Sequence, residues 1–313
     1  MTKLDLIVAK VRPLTERISE FTLQAADRGA LPEWEAGAHI RVDVDGGDRA
    51  YSLIRFGAGD GGDYRIAVQR EDDGAGGSRF MHGLKDGDRI VATPPKCDFP
   101  VVAGEAAVLL AGGIGITPII SMAAELQAAG VPFELHYAGR SREVMGFADD
   151  LSERFGDAVT VHCDDDESAL DLAAVIGALG DRHLYICGPR GLIDAARSTA
   201  EAAGVPGARV HVELFDNASA AVEGDRPFEV EVASSGEVFT IPPGKSIIEV
   251  LEEGGMDLIH DCQRGDCGIC QTDVISGEPD HRDVVLSDAE RAEGKVMQIC
   301  VSRAKSARLV LDL

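Results

Sequence analysis

Three cysteines spaced four and two residues apart, Cys262-x4-Cys267-x2-Cys270, constrain this chain more than any other feature, and Cys300 follows after 29 further residues. A loop this tight can wrap three sulfurs around one small object. The fourth sulfur must then come from a separate element that closes the site. Two irons need four thiolates, and this is the plant-type 2Fe–2S ligand spacing. Zinc usually pairs its ligands as two C-x2-C units, which this triplet does not. Gly265 and Gly268 lie between the cysteines, where backbone amides must turn inward and approach the sulfurs with no Cβ in the way. Cys97, Cys163 and Cys187 bring the total to seven, an odd number. With no secretory leader at the start, that total argues against a disulfide framework and for a reducing, cytoplasmic compartment.

At 313 residues the chain has room for two or three domains. Its 54 acidic residues against 30 basic give a net charge of -24, which repels phosphate backbones and anionic lipid. Nucleic acid and membrane surfaces are therefore poor candidate partners. Residues 106–124 run 19 residues without a charge, nominally enough to span a bilayer. Gly112, Gly113, Gly115 and Thr117-Pro118 inside that run predict a strand, a turn and a helix instead.

Short β-prone runs at 4–11, 18–24, 39–44, 50–53, 64–69 and 89–92, separated by Gly- and Asp-rich turns, predict a small antiparallel barrel with a short helix at 78–83. From residue 106 strands at 107–110, 133–137, 159–163, 184–187 and 209–214 alternate with helices at 118–129, 147–154, 170–179 and 193–203. That alternation predicts a parallel, doubly wound α/β sheet. The small, acidic stretch 216–225 reads as a linker, followed by a hairpin at 228–241, a helix at 246–253, the cysteine loop and a closing strand at 308–311.

Two constellations outside the cysteines carry chemistry. Arg49, Tyr51, Ser52 and Leu53 end a barrel strand, offering a guanidinium fork, a flat ring and a hydroxyl. Gly76, Gly77 and Ser78 follow before the short helix, whose N-terminus Ser78 can cap. Together they describe a site for a flat ring system bearing a phosphate. Gly112, Gly113 and Gly115 stand between a strand and a helix, where a pyrophosphate meets a helix N-terminus, although their spacing is not the Rossmann Gly-x-Gly-x-x-Gly.

Arg-x-Tyr-Ser at 49–52, Gly-Gly-Ser at 76–78, Gly-Gly-x-Gly-x-Thr-Pro at 112–118 and Cys-Gly-Pro at 187–189 together resemble the ferredoxin–NADP reductase superfamily. The order of flavin barrel, nicotinamide domain and C-terminal ferredoxin resembles its phthalate dioxygenase reductase group, which includes the reductases of vanillate O-demethylase and related Rieske oxygenases. Residues 280–283, Asp-His-Arg-Asp, also look like that group's ferredoxin domain. The resemblance covers essentially the whole chain. It implies a flavin-binding barrel at 1–102, an NAD(P)H-binding domain at 103–217, a linker at 218–225 and a β-grasp ferredoxin at 226–313.

By the same resemblance Arg49 and Ser78 hold the flavin phosphate, with Gly76 and Gly77 beside it. Tyr51 packs on the isoalloxazine, Ser52 hydrogen-bonds near its N5, Leu53 is a further cofactor-binding residue, and Phe215 covers the other face. Thr117, Pro118, Cys187, Gly188 and Pro189 border the nicotinamide nucleotide, with Cys187 beside the ring. The flavin is expected to be FMN. Arg140 and Ser141, with Arg142, follow the second strand of the sheet, where bases favour a 2′-phosphate. They lean towards NADPH, whereas the family leans towards NADH, and NADH is the expectation.

The implied activity is transfer from NADH through FMN and the 2Fe–2S cluster to a Rieske-type terminal oxygenase or demethylase. No side chain is required as acid or base. The alternatives are a reductase for a haem monooxygenase and a non-catalytic iron–sulfur redox sensor. A monomer is expected. Residues 226–313 hold 17 acidic and 9 basic residues, so the ferredoxin domain is expected to dock on a basic patch of its acceptor.

Overall fold

Alternation of apolar and polar residues along the first hundred positions gives strands with one buried face. The computed structural model describes residues 3–45, 47–57, 62–72, 74, 76–215 and 224–313. The chain divides into two compact units, Met1–Glu213 and Leu214–Leu313.

Unit 1 opens with β1 (Leu4–Pro13), β2 (Ile18–Ala25), β3 (Ala38–Val44), β4 (Gly47–Ser52) and β5 (Tyr64–Gln69). A short helix, α1 (Gly77–Gly83), then leads to β6 (Arg89–Ala92) and β7 (Lys96–Cys97). Their antiparallel sheet runs β4-β3-β6-β1-β2-β5, with β7 on β3. It curls into a near-barrel around Leu6, Phe21, Ile40, Ile66 and Met81, all fully buried. Just past β4, Ile54 N donates to Arg65 O on β5 at 2.8 Å, which helps to close the curl.

Residues 106–124 are not one long helix. They form β8 (Ala107–Gly112), a 3-10 turn (Gly113–Gly115) and α2 (Ile116–Ala129), which admits Pro118 because that residue lies in the first turn. Among the described residues no helix is long and apolar enough to cross a membrane. There follow β9 (Phe133–Gly139), α3 (Ala148–Phe155), β10 (Val159–Cys163), α4 (Leu172–Gly177), β11 (His183–Cys187), α5 (Arg190–Ala202) and β12 (Val210–Glu213). The sheet is wholly parallel, in the order β10-β9-β8-β11-β12. Every residue of central β8 is buried, as a strand covered on both faces requires.

The strand order reverses between β8 and β11, and the two loops leaving them meet there. A Cβ on Gly115 would lie 2.3 Å from Cys187 O, and one on Gly112 would lie 2.8 Å from Pro189 Cδ. Only glycine lets these two backbones come so close.

Unit 2 contains β13 (Phe228–Val232), β14 (Val238–Ile241), α6 (Ile247–Glu253), β15 (Gln271–Ser276), β16 (Pro279–Asp280), α7 (Asp288–Glu293), β17 (Val296–Gln298), β18 (Arg303–Ala304) and β19 (Arg308–Leu311). The mixed sheet β14-β13-β19-β15-β17, with β13 and β19 parallel, is the β-grasp arrangement. Helix α6 packs Ile247, Ile248 and Leu251 into its core. Ser246 and Glu249 cap that helix reciprocally, worth about 1 kcal/mol. The expected linker at 218–225 lies outside the described residues except for Gly224 and Asp225.

Two histidine pairs bridge neighbouring strands of the parallel sheet, His136 to His162 at 3.0 Å and His183 to His211 at 2.8 Å. Burial lowers the pKa of His136 and of His211, and the partner ring adds to the shift in each case. The neutral forms are therefore favoured in the folded state. That stability is present above the unfolded value near about 6.5 and is lost as pH falls through the folded values. Thermal melts from pH 7.5 to 5 should fall more steeply for the wild type than for a His136→Asn/His211→Asn variant. A second expectation concerns the crossing loops. Gly115→Ala must push Cys187 aside and should destabilise unit 1 by about 1–3 kcal/mol in urea titration.

Candidate functional site

At the open end of the barrel, β4 and the start of α1 come together. The Arg49 side chain lies over Gly77, where a Cβ would sit 2.6 Å from Arg49 Cγ. Arg49 Nη1 donates to Asp48 O at 2.6 Å, which orients the guanidinium. Gly76 carries φ 96° and serves as the N-cap of α1 without any side-chain cap. Ser78 does not cap this helix, contrary to expectation. The helix starts one residue earlier, and the Ser78 hydroxyl accepts from Glu71 N at 2.9 Å instead. Ala75, also in this turn, lies outside the described residues. Tyr51 is largely buried, and that burial pushes its phenol up to about 12, so it remains a neutral ring. Ser52 is buried, and Leu53 O accepts from Ser121 Oγ on α2 at 2.8 Å, tying the strand end to the parallel-sheet half. Arg49, Tyr51, Ser52, Gly76, Gly77 and Ser78 thus share one strand end and one helix start.

The second group collects at the carboxyl ends of β8 and β11. Gly112, Gly113 and Gly115 lead into α2, while Cys187, Gly188 and Pro189 lead into α5. These loops touch where the strand order reverses, the crevice in which doubly wound sheets take their ligands. Thr117 Oγ1 donates to Ile114 O at 3.1 Å and stiffens the turn. Tyr137 OH reaches the carbonyls of Gly113 and Gly146, both at 3.1 Å. Cys187 is fully buried and pairs in register with Glu213 on β12.

Beyond β9 and β10 the sequence reading missed two residues. A cavity of about 420 Å³ is lined by Ser141, Arg142, Glu143, Asp165, Asp166 and Ser168, among others. Arg140 is exposed and is not one of the residues lining it. Arg142 Nη2 is bound to Asp149 at 2.6 Å, and Ser168 holds the Asp166 carboxyl below its ordinary value through two hydrogen bonds. Asp165 and Asp166 follow the third strand of the sheet, so only the fold brings them to the residues after the second.

In unit 2 the four cysteines converge in pairs. The thiols of Cys262 and Cys267 interact, as do those of Cys270 and Cys300, and Cys262 also reaches Cys300. Contact with Cys267 and Cys300 lowers the Cys262 thiol far below its ordinary value, and Cys262 pushes Cys267 and Cys300 up. Among the described residues the set of three donor atoms mutually within 4.8 Å is Cys163, Asp165 and Asp166, not any three of these thiols. Four cysteines gathered in one place, three from a C-x4-C-x2-C loop and one from outside it, make a donor set that suits a 2Fe–2S group. Cys262, Cys270 and Cys300 are buried, and all four are free of disulfides. Arg264 N donates to Cys262 Sγ at 3.3 Å. Gly265 takes φ +82°, and a Cβ there would strike Val301 Cγ2 at 2.6 Å.

The turn at 281–286 braces this loop. Val284 N donates to Gly265 O at 2.9 Å. Asp283, wholly buried, accepts from Val285 N at 3.1 Å and from Leu286 N at 2.8 Å. Arg282 forks between Asp225 at 2.6 Å and Asp280 at 2.8 Å. The 280–283 motif is thus scaffolding for the cysteine loop. Asp266 is buried within the loop, which raises its carboxyl to about 7, and it accepts from Leu214 N at 3.0 Å. Phe215 is the second residue of unit 2 and is 37% exposed.

Residues 230–305 match the family model of the 2Fe-2S iron-sulfur cluster binding domain. The vanillate O-demethylase oxidoreductase of Pseudomonas sp. (strain HR199 / DSM 7063) is 40% identical over 317 residues, covering 99% of this chain and 100% of its own. The heme-dependent oxidative N-demethylase beta subunit of Ectopseudomonas mendocina (strain ymp) is 39% identical over 317 residues, covering 100% and 99%. The solved phthalate dioxygenase reductase, described as modular for electron transfer from pyridine nucleotides to [2Fe-2S], superposes with a TM-score of 0.71 at 37% identity, covering 99% of this chain and 98% of its own. With a curled barrel, a reversing parallel sheet and paired cluster thiols joined in that order, the chain belongs to the phthalate dioxygenase reductase group of the ferredoxin–NADP reductase superfamily, flavin- and 2Fe–2S-dependent NAD(P)H oxidoreductases.

Proposed function

We propose that this protein is the reductase component of an oxygenase system, drawing on NADH and FMN and delivering single electrons to a Rieske-type oxygenase or O-demethylase. The observation that carries the reading is that one chain joins the crevice at 112–118 and 187–189 to four thiols paired for a two-iron cluster. When bound, the flavin supplies the exchange between a two-electron donor and a one-electron acceptor. The chain's own task is to bind, orient and exclude water. Arg49 and the Gly76–Ser78 turn hold the flavin phosphate, a charge-assisted contact. Tyr51 offers a ring for one of its faces, and Ser52 offers a hydroxyl at its edge. Gly112, Gly113, Gly115, Thr117 and Pro118 receive the pyrophosphate at the start of α2. Cys187, with Gly188 and Pro189, borders the nicotinamide. Seven free cysteines support a reducing, cytoplasmic setting.

The acidic lining of the cavity beside Ser141 supports NADH over NADPH. Glu143, Asp165 and Asp166 would repel a 2′-phosphate, and Arg142 is already committed to Asp149. NADH should exceed NADPH by at least about tenfold in kcat/KM, and an Asp165→Ser/Asp166→Ser variant should narrow that ratio. A ratio that does not move would place discrimination elsewhere.

A second reading, favoured by the likeness to the heme-dependent N-demethylase subunit, keeps the same donor side and changes the acceptor to a haem oxygenase. Reconstitution decides between them. Cys267→Ser should retain NADH-driven reduction of a flavin-directed dye while losing support of the terminal oxygenase. Product formation by that variant at the wild-type rate would exclude the cluster as the electron exit. Turnover with a haem partner but not with a Rieske partner would select the second reading.

A further inference from the structure

One histidine ties the parallel sheet to the turn that carries the cavity's acids. Residues 164–168, Asp-Asp-Asp-Glu-Ser, leave β10 as an exposed turn with no apolar side chain to anchor it. Polar bonds must hold it instead, and they converge on Ser168. Its amide donates to Asp166 Oδ1 at 2.7 Å, and its hydroxyl donates to the same oxygen while accepting from Cys163 N at 3.0 Å. His162 Nδ1 meets Ser168 O at 2.9 Å. A carbonyl only accepts, so Nδ1 carries the proton and Nε2 is left as an acceptor. That Nε2 faces His136 Nδ1 on β9 at 3.0 Å, which donates to it. Parallel pairing sets His136 beside Thr160 and His162 beside Ala138, so both rings are fixed to the sheet. Behind His136, Glu134 lies 3.9 Å away and is itself held by Arg182 at 2.9 Å. The two contacts of His162 demand the same tautomer, and the ring can satisfy both at once.

We propose that His162 is a positioning residue for nicotinamide-nucleotide selection, its Nδ1–H holding Ser168 and, through it, the turn that presents Asp165 and Asp166 to the cavity beside Ser141. Cys163, Asp165, Asp166 and Ser168 line that cavity, whereas His162 is not one of its lining residues and acts through Ser168. An exposed carboxylate repels a 2′-phosphate only while it stays close, because salt screens it within about 8–10 Å. A turn released from the sheet would exchange a fixed charge for a wandering, hydrated one. The inference rests on the reading above that the ribose of the nucleotide meets this acidic lining.

The test uses the full-length holoprotein with His162→Ala and His162→Asn, since an asparagine amide can place an N–H where Nδ1 stood. In His162→Ala, hydrogen exchange at the Cys163 and Ser168 amides should rise. With a flavin-directed dye, KM for NADH should rise about fivefold at unchanged kcat, and the NADH-to-NADPH ratio of kcat/KM should fall about fivefold. His162→Asn should return all three towards wild type. Ser168→Ala, an exposed substitution that takes the hydroxyl from Asp166, should lower the same ratio. An unmoved ratio in His162→Ala or in Ser168→Ala would overturn the proposal. So would a fall in kcat with the ratio intact, because His162 would then serve only the fold, and so would an asparagine variant no better than alanine. If the Asp165→Ser/Asp166→Ser variant also leaves the ratio unmoved, the reading of the cavity fails; if it narrows the ratio while His162→Ala does not, the role of His162 alone fails.

Discussion

Four thiols crowded into paired contact are the constraint on which the second half of the molecule depends. Three of them lie within one short loop and the fourth arrives from a separate element, the arrangement a two-iron cluster takes. The loop cannot rely on its own backbone to stay closed around such a set. It is held from outside instead. Val284 N grips Gly265 O, and the buried carboxylate of Asp283 satisfies the amides of the bracing turn. Arg282 pins that turn through two carboxylates. Arg303 joins Lys245 O at 2.9 Å and Arg226 O at 3.1 Å, binding the start of β13 to the far side of the same scaffold. A buried polar network of this kind is costly when half-satisfied, and these groups are bonded to one another or to backbone.

The first half depends on a different kind of closeness. Where β8 and β11 part company, two backbones approach to a distance that no Cβ would permit. The contact sets the width of the crevice and aims the start of α2 into it. The same half carries the link between barrel and sheet, since the hydroxyl of Ser121 on α2 bonds Leu53 O just past β4. The core cluster that includes Leu109, Ile119 and Tyr137 also takes in Ile18, Ile54 and Ala67 from the barrel. Barrel and sheet therefore share apolar burial, which is why they behave as one unit.

Charge serves both ends of the molecule. The net charge of -24 discourages association with anionic polymers and lipids. Locally, acids play opposite parts. In the cavity beside Ser141 they leave a negative lining. In the cysteine loop and its bracing turn they are buried, and arginine or backbone amides hold them.

The Cys262-x4-Cys267-x2-Cys270 spacing, the three-part order of strands, alternating elements and cysteine loop, and the glycine positions of the crevice were all legible from residues alone. Local periodicity and fixed ligand spacing are written directly into sequence. The strands β15 and β17 that flank the cluster were not legible, because they are short and their burial comes from partners far along the chain. The capping of α1 was misread because whether a hydroxyl caps a helix depends on which residue begins it, and this one begins at Gly77 with Gly76, φ 96°, as its N-cap. Asp165 and Asp166 sit on a different strand connection from Ser141 and Arg142, and Asp266 meets Leu214 across 52 residues. Sequence determined which chemistries this chain can hold. Tertiary structure alone decided which carboxylates line a cavity and which brace the loop, because that choice depends on the sheet order and turn contacts that bring distant segments together.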